Sequence, residues 1–239
     1  LTINSLLMYS DTTDESGYGM RFGMSYDPNK FWITGMAYYR FDDDLNINDM
    51  GYQTRNNLSN FRTFTMYTEN DFLTTSKILE RTYKFAFSKN ADTHGLQLSQ
   101  NINLSFKQSF KDTSGFEIKV AHKSSGNNDL LTRGSALAPF VKFGQGGNFS
   151  LMYYGKQDAR WSYWMYLSRD RQSLQSFTTT SNNIALGGYY YPSDNIKFGI
   201  HLGKYNTKNW LNWLEDNRLG TYPLDYFSFK ANATWFPKE

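Results

Sequence analysis

Hydrophobic and polar residues alternate one by one along much of this chain. In the segment from Ile196 to Tyr205, isoleucine, phenylalanine and leucine occupy even positions, and lysine, glycine and histidine occupy odd positions. Alternation with a period of two predicts a β-strand, because successive strand side chains point to opposite faces. Such a strand has one apolar and one polar face, as in a soluble sandwich or a membrane barrel.

The same two-faced pattern recurs about a dozen times, and helical periodicity competes nowhere. The segments are 17–26, 31–41, 77–88, 96–106, 116–121, 137–143, 149–153, 161–167, 184–190, 196–205 and 226–235. In the second segment we place the apolar side on Phe31, Ile33, Ala37, Tyr39 and Phe41. An all-β antiparallel fold follows from this pattern.

The connections between these segments differ in length. Short turn signals occur at 27–30, 89–92, 111–115, 146–147 and 192–195, and longer polar connections at 42–57, 123–132, 169–182 and 206–223. Short turns at one end and long loops at the other are typical of an outer-membrane barrel.

Aromatic content and segment length favour the membrane interpretation over the soluble one. The 239 residues include 18 Tyr, 19 Phe and 6 Trp, although mean hydropathy is only -0.64. Segments of roughly 9 to 12 residues suit a tilted membrane crossing, whereas strands of globular proteins are most often about 5 to 6 residues long. Aromatic residues near the strand ends predict two interfacial girdles: Tyr18, Tyr26, Phe31, Tyr39, Tyr190, Tyr205 and Trp235.

We therefore predict a transmembrane antiparallel β-barrel of the outer-membrane type, with about 12 to 16 strands, formed by one domain over residues 1–239. A soluble sandwich that keeps the aromatic rings in its core is the alternative. No signal peptide precedes Leu1, and the chain stops at Glu239 where a turn is expected. We expect a mature or partial chain.

The polar face supplies the candidate functional residues. Charged or titratable side chains expected to line the lumen are Arg21, Arg40, Glu80, Lys84, Glu117, Lys119, Lys197, His201 and Lys230. Aromatic residues expected on the same face are Trp32, Tyr38, Trp164, Tyr166 and Tyr226. Mixed charge there gives either a field across a passage or ion pairs that hold the wall together. The rings would stack on sugars or fill the interior.

Other chemistry has little support in the sequence. Three separate histidines give no metal-ligand spacing, no Gly-x-Ser-x-Gly elbow occurs, and cysteine is absent. The oxygen-rich loop of Asp42, Asp43, Asp44, Asn46, Asn48 and Asp49 lacks EF-hand spacing, and a solvated loop is preferred over a Ca²⁺ site. The net charge of +3 is spread along the chain, which gives no electrostatic support for nucleic acid binding. We expect no catalytic residue, cofactor or metal.

Several short motifs resemble a family of uncharacterised bacterial envelope proteins. They are Asn48-Asp49-Met50-Gly51-Tyr52-Gln53-Thr54-Arg55-Asn56-Asn57, Arg133-Gly134-Ser135-Ala136-Leu137-Ala138-Pro139 with Asp158-Ala159-Arg160, Tyr191-Pro192-Ser193-Asp194, and the stretch from Trp210 to Pro237. That family carries an N-terminal domain similar to family 9 carbohydrate-binding modules, followed by a large outer-membrane-type β-barrel. The resemblance covers roughly residues 45–239, within the barrel, and implies that the N-terminal domain and one final strand are absent.

These observations predict an outer-membrane barrel that acts as a channel or porin-like conduit, or as the membrane anchor of a larger envelope protein. Expected partners are outer-membrane lipids and other envelope proteins, with a glycan implied by the resemblance alone. The alternatives are a non-conducting subunit of a secretion or surface-protein complex and a soluble carbohydrate-binding sandwich. An enzyme housed in the barrel would need a polar triad near one rim, which the sequence lacks.

Overall fold

The computed structural model describes residues 1–11, 16–45, 57–128, 140–156, 160–174, 177–215 and 218–236. These residues form one antiparallel sheet of 13 strands. The strands are β1 (Thr2–Asp11), β2 (Ser16–Asn29), β3 (Trp32–Phe41), β4 (Leu58–Glu69), β5 (Ile78–Ala91), β6 (Gln97–Phe110), β7 (Gly115–Lys123), β8 (Gly126–Asn128), β9 (Val141–Tyr154), β10 (Trp161–Leu174), β11 (Thr178–Ser193), β12 (Ile196–Glu215) and β13 (Arg218–Trp235). The all-β antiparallel prediction is confirmed.

The strands follow one another across the sheet in chain order. Twelve of them form the path β1-β2-β3-β4-β5-β6-β7-β9-β10-β11-β12-β13, and the three-residue β8 pairs with β9 just beyond β7. Strands β1 and β13 are the two edges and are not paired with each other. Within the described residues the sheet is therefore open.

The pairing register keeps apolar residues on one face and polar residues on the other. Phe85 lies opposite Leu104, and Leu104 lies opposite Val120. One position along, Lys84 lies opposite Ser105, and Ser105 lies opposite Lys119. Directly opposed residues share a face, so these two rows belong to the two sides of the sheet. We call the side of Leu104 the apolar face and the side of Lys84 the polar face.

The apolar face is exposed and has no second layer over it in the described structure. Near the middle of their strands Ile200 is 55% exposed and Phe229 is 61% exposed. The accessible surface of 15818 Å² exceeds the roughly 11,000 Å² expected for a compact monomer of this mass. Buried hydrophobic side chains in the described ranges are limited to Leu45, Leu98, Leu174 and Ala185. The sheet thus lacks the core of a two-layer sandwich.

Charged residues bound the apolar face at the strand ends. On β5, Tyr83, Phe85 and Phe87 lie between Arg81 and Lys89 on this face. On the other strands Arg40, Arg169 and Lys204 mark the end where Lys89 lies. The eight residue steps from Arg81 to Lys89 span about 27 Å. We call this strip the apolar band.

Aromatic rings run side by side along one border of the apolar band. Ring centroids are 4.8 Å apart for Trp32 and Tyr67, 6.2 Å for Tyr67 and Tyr83, 5.0 Å for Tyr83 and Phe106, and 5.7 Å for Phe106 and Phe116. The row continues on β9 to β11 with Tyr153 against Tyr163 at 5.9 Å and Trp161 against Tyr190 at 4.1 Å. A belt of rings therefore crosses most of the sheet at the short-turn end.

Two predicted loops and one predicted turn are in fact strand. Strands β10 and β11 occupy most of 169–182, and β12 and β13 occupy most of 206–223. Most residues of 169–182 are polar on both faces, and in 206–223 the apolar residues occur as adjacent pairs, Trp210-Leu211 and Trp213-Leu214. Neither arrangement shows the alternation of a strand. The predicted hairpin turn at Gly146-Gly147 is also wrong, because both glycines lie inside β9 opposite Gln172 and Arg171.

Strands β1 and β4 escaped the period-two pattern because their faces are mixed. On β4, Phe64 and Met66 share the polar face with Arg62, whereas Thr63 and Thr65 lie on the apolar face.

None of the described segments forms a helix long and apolar enough to cross a membrane.

Candidate functional site

The polar face is the candidate functional site, because the predicted site residues converge there. Eight of the nine side chains lie on this face by register: Arg21, Glu80, Lys84, Glu117, Lys119, Lys197, His201 and Lys230. Trp164, Tyr166 and Tyr226 share it. Whether the face encloses a lumen stays a prediction.

The face assignment of β3 was wrong. Arg40 lies opposite Met20 and Tyr38 lies opposite Phe22, so both are on the apolar face, as is Trp32 opposite Tyr67. Tyr39 lies on the polar face opposite Arg21. Large side chains occur at both odd and even positions of β3, so the sequence alone could not separate its faces. The register with β2 decides it.

The assignment of Tyr205 to an interfacial girdle was also wrong. It pairs with Tyr226 and Asn183 on the polar face, and its ring lies 5.3 Å from that of Tyr226. It therefore does not belong to a girdle on the apolar side.

Four further charged residues of the polar face were not predicted. They are Arg62, Lys107, Lys123 and Asp170. Lys107 and Lys123 lie just beyond the recognised segments, and extending the alternation by one or two steps would have found them. Asp170 falls in a predicted loop, and Arg62 lies in the unrecognised β4.

Ion pairing on the polar face is sparse. Lys119 Nζ lies 3.0 Å from Glu117 Oε2 on the same strand, which is the one ion pair found on this face among the described residues. Other cations lie over aromatic rings: Lys197 Nζ is 3.8 Å from the ring centre of Tyr189, Lys84 is 5.7 Å from Phe64, Lys123 is 5.7 Å from Phe143, and Arg62 is 5.1 Å from Tyr39. Such contacts hold a cation by the ring quadrupole without cancelling its charge.

Glycines let aromatic rings lie flat on the polar face. A Cβ at Gly187 would come within 2.7 Å of Trp164 Cζ2, and one at Gly115 within 2.5 Å of Tyr154 Oη. The Tyr154 hydroxyl thereby reaches Ser109 Oγ at 3.0 Å, two strands away. These glycines make space for rings that tie neighbouring strands together.

Two cavities open on this face. One of about 480 Å³ lies at the end of β9 to β12 where Arg169 and Lys204 mark the border of the apolar band, and its lining includes Lys123, Phe143, Asp170, Asn183, Tyr205 and Trp210. The other, of about 680 Å³, is lined by residues that include Trp164, Tyr189, His201, Lys230 and Asn232. Thr207 Oγ1 donates to Ser181 Oγ at 2.7 Å in the wall of the first. Both cavities combine hydroxyl, amide and cationic groups with aromatic rings.

Carboxylates of the loops serve as local hydrogen-bond acceptors. Asp42 Oδ2 accepts from the Tyr18 amide at 2.7 Å, and Asp43 Oδ1 accepts from Thr93 Oγ1 at 2.9 Å. The described residues hold no group of three or more histidines and carboxylates that would bind a metal. Asn46, Asn48 and Asp49 of the considered Ca²⁺ loop lie outside the described residues.

The turn between β6 and β7 has one perturbed carboxyl group. The Ser114 hydroxyl donates to Asp112 Oδ1 at 2.5 Å and the Ser114 amide donates at 3.2 Å. These two hydrogen bonds hold the pKa of Asp112 below its usual value. They stabilise the turn and have no part in the candidate site.

Comparison with known proteins gives the family. Residues 2–232 match the family described as "Domain of unknown function (DUF5916)". The chain belongs to this family. In this DUF5916 member the first strand begins at Thr2 and the last ends at Trp235, so the sheet described above lies along the matched range. The N-terminal carbohydrate-binding-like domain implied by the sequence resemblance stays a prediction.

The chain is also similar to a solved structure. The match is a chain from a structure titled "Unveiling the Mechanism Behind the in-meso Crystallization of Membrane Proteins", with 11% sequence identity and a TM-score of 0.37. It covers 99% of this chain and 84% of that chain. No curated protein sequence matches the chain.

Proposed function

We propose that this chain forms a transmembrane β-barrel of the bacterial outer membrane and acts as a polar-lined conduit. The observation that carries the proposal is the apolar face, which is exposed across the sheet and covered by no second layer in the described residues. In water such a surface would far exceed the few hundred Å² of contiguous apolar area that soluble monomers expose. Contact with lipid acyl chains would remove this apolar face from water.

The dimensions of the apolar band support a membrane crossing. Eight residue steps between Arg81 and Lys89 give about 27 Å along the strand and about 20 Å along the membrane normal at the usual tilt. The outward apolar band of such barrels is about 25 Å tall. The aromatic belt at one border matches an interfacial girdle, where amphipathic rings meet the headgroups.

Strand order and direction are compatible with closure. A sheet in hydrocarbon must pair every backbone group, so it has no free edge. Twelve strands in an antiparallel path leave β1 and β13 running in opposite directions. They can pair directly or through an even number of further strands, and either route gives the even total of bacterial single-chain barrels.

The polar face supports the conduit function. Glycine and serine positions such as Gly187 and Ser150 are buried on this face while charged side chains line it. Water confined inside a barrel would hydrate those side chains, and the two cavities would form part of the passage. A soluble carbohydrate-binding sandwich fits less well, because a sandwich buries its apolar faces against each other.

Reconstitution tests the proposal. We expect the purified protein to require detergent, to migrate differently on a gel before and after boiling, and to give stepwise conductance in planar bilayers. A protein that stays soluble and monomeric without detergent would overturn the membrane location. Detergent dependence without conductance would reject the conduit and favour a membrane anchor or a non-conducting subunit of an envelope complex.

A further inference from the structure

We propose that the polar face is selective for anions and that the conduit passes small anions in preference to cations. This inference rests on the proposed conduit and adds its substrate class. It is carried by the charges that the strand register brings to one face. Cationic linings are the usual device of anion-selective pores.

Cations outnumber carboxylates on the polar face by eight to three among the described residues with a cross-strand partner. The cations are Arg21, Arg62, Lys84, Lys107, Lys119, Lys123, Lys197 and Lys230, and the carboxylates are Glu80, Glu117 and Asp170. The excess of five exceeds the net charge of +3 of the whole chain. The polar face therefore carries a net positive charge, whereas many of the carboxylates of the chain lie in the connections between strands.

The excess is not cancelled locally. One carboxylate, Glu117, forms an ion pair on this face in the described structure, and its partner is Lys119. Lys84 and Lys197 lie over the rings of Phe64 and Tyr189. A ring contact restrains the ammonium group but leaves its charge, so the field of these residues extends into the space they face.

The 680 Å³ cavity is the part of this face where an anion would meet the least opposition. Lys230 lies directly opposite His201. Lys197 lies on the same face of β12, four residues before His201. Across β11, β12 and β13 the polar face carries no carboxylate among the described side chains. Asn232 and the Trp164 ring complete the wall with an amide donor and an apolar surface.

The three carboxylates of the polar face, Glu80, Glu117 and Asp170, weigh against the inference, because carboxylates attract cations. On the polar face of β5 Thr82 lies between Glu80 and Lys84 and donates a hydrogen bond to Glu80, and on β7 Lys119 pairs with Glu117. Glu117 is thus offset by its ion pair, whereas Arg21, Lys107, Lys197 and Lys230 have no carboxylate within ion-pair distance in the described residues. The balance favours anions.

The test is the reversal potential of the protein in planar bilayers under a tenfold KCl gradient. We expect chloride to be more permeant than potassium in dilute salt. The preference should weaken at 1 M salt, where the Debye length falls to about 3 Å.

The double variant Lys197→Glu/Lys230→Glu lowers the excess on the polar face from five to one, and its permeability ratio should fall towards unity. The matched control Lys89→Glu/Lys208→Glu changes the same charge on the apolar-face side, by register with Gln100 and Thr180, and should keep the original ratio.

The outcomes separate the inference from the conduit itself. A conductance that prefers potassium, or that is equally shifted by both double variants, would overturn anion selectivity and leave the conduit standing. The absence of conductance would overturn both. Gel mobility before and after boiling identifies any variant that fails to fold, and in that case Lys197→Gln/Lys230→Gln replaces it, with a smaller expected shift in the same direction.

Discussion

The ring of Trp164 lies 5.3 Å from the ring of His201, nearly parallel at 28°, although the two residues belong to strands separated by β11. Gly187 is the β11 residue opposite both of them. Without a side chain there, the indole spans the intervening strand. This contact links β10 to β12 on the polar face, beside the larger cavity.

Gly187→Ala should destabilise the sheet. The added methyl would approach Trp164 Cζ2 at 2.7 Å and the Ile200 carbonyl oxygen at 2.9 Å, and the backbone oxygen cannot move away easily. We expect a loss of about 1–3 kcal/mol in the free energy of unfolding in detergent. Gly147→Ala is the control, since its methyl would meet Ala121 oxygen alone at 3.0 Å. Equal losses for both variants would show that the Trp164 contact is not responsible.

Neighbouring residues of β6 distinguish a lipid-facing from a water-facing apolar surface. Leu104 is 53% exposed on the apolar face, and Asn103 is exposed on the polar face. Leu104→Arg should cost about 2–4 kcal/mol in lipid vesicles, because it moves a charge into hydrocarbon. Asn103→Arg should be nearly neutral in the same unfolding titration. If Leu104→Arg is as neutral as Asn103→Arg, the apolar face does not contact lipid.

Two tryptophans of β10 provide a spectroscopic test of the same orientation. Trp161 lies on the apolar face at its aromatic border, whereas Trp164 lies on the polar face. In variants that retain one tryptophan each, bromine-labelled lipids should quench Trp161 strongly and Trp164 weakly. Aqueous iodide should give the reverse order if the polar face is wet. Equal quenching of both by the lipid would contradict the assignment.

The β6–β7 turn should lose stability in acid through Asp112. Its folded pKa is lowered by the hydrogen bonds from Ser114, so the stabilisation is fully present above the unfolded pKa of about 3.9 and is lost as pH falls through the folded value. Asp112→Asn should therefore flatten the fall in thermal midpoint between neutral and strongly acidic pH. Ser114→Ala, which keeps the carboxylate, should flatten it in part. An unchanged slope in both variants would mean that the turn does not contribute.

The sequence predicts strands well wherever one face is uniformly apolar. The recognised segments of β6 and β12 keep most hydrophobic residues on one side and polar residues on the other, and the structure has the same faces. Burial asymmetry sets this period, so it is readable without tertiary information.

The remainder depends on pairing, which local sequence does not specify. On β3, Tyr38 and Tyr39 are adjacent, and only pairing with Phe22 and Arg21 assigns them to opposite faces. On β9, Gly146 and Gly147 look like a turn, but neighbouring strands on both sides hold them extended. The charge excess of the polar face likewise depends on the strand register, because the register assigns each charged residue to one face.

The hairpin of β12 and β13 continues well past the charged border of the apolar band. From Lys204 to Glu215 the strand extends about 35 Å, and in the proposed barrel most of that length would lie beyond the headgroups. In the proposed barrel that hairpin would be open to proteases, antibodies and soluble enzymes. Cleavage or labelling there on intact cells would reveal which side of the membrane it faces while the membrane-embedded strands remain undisturbed.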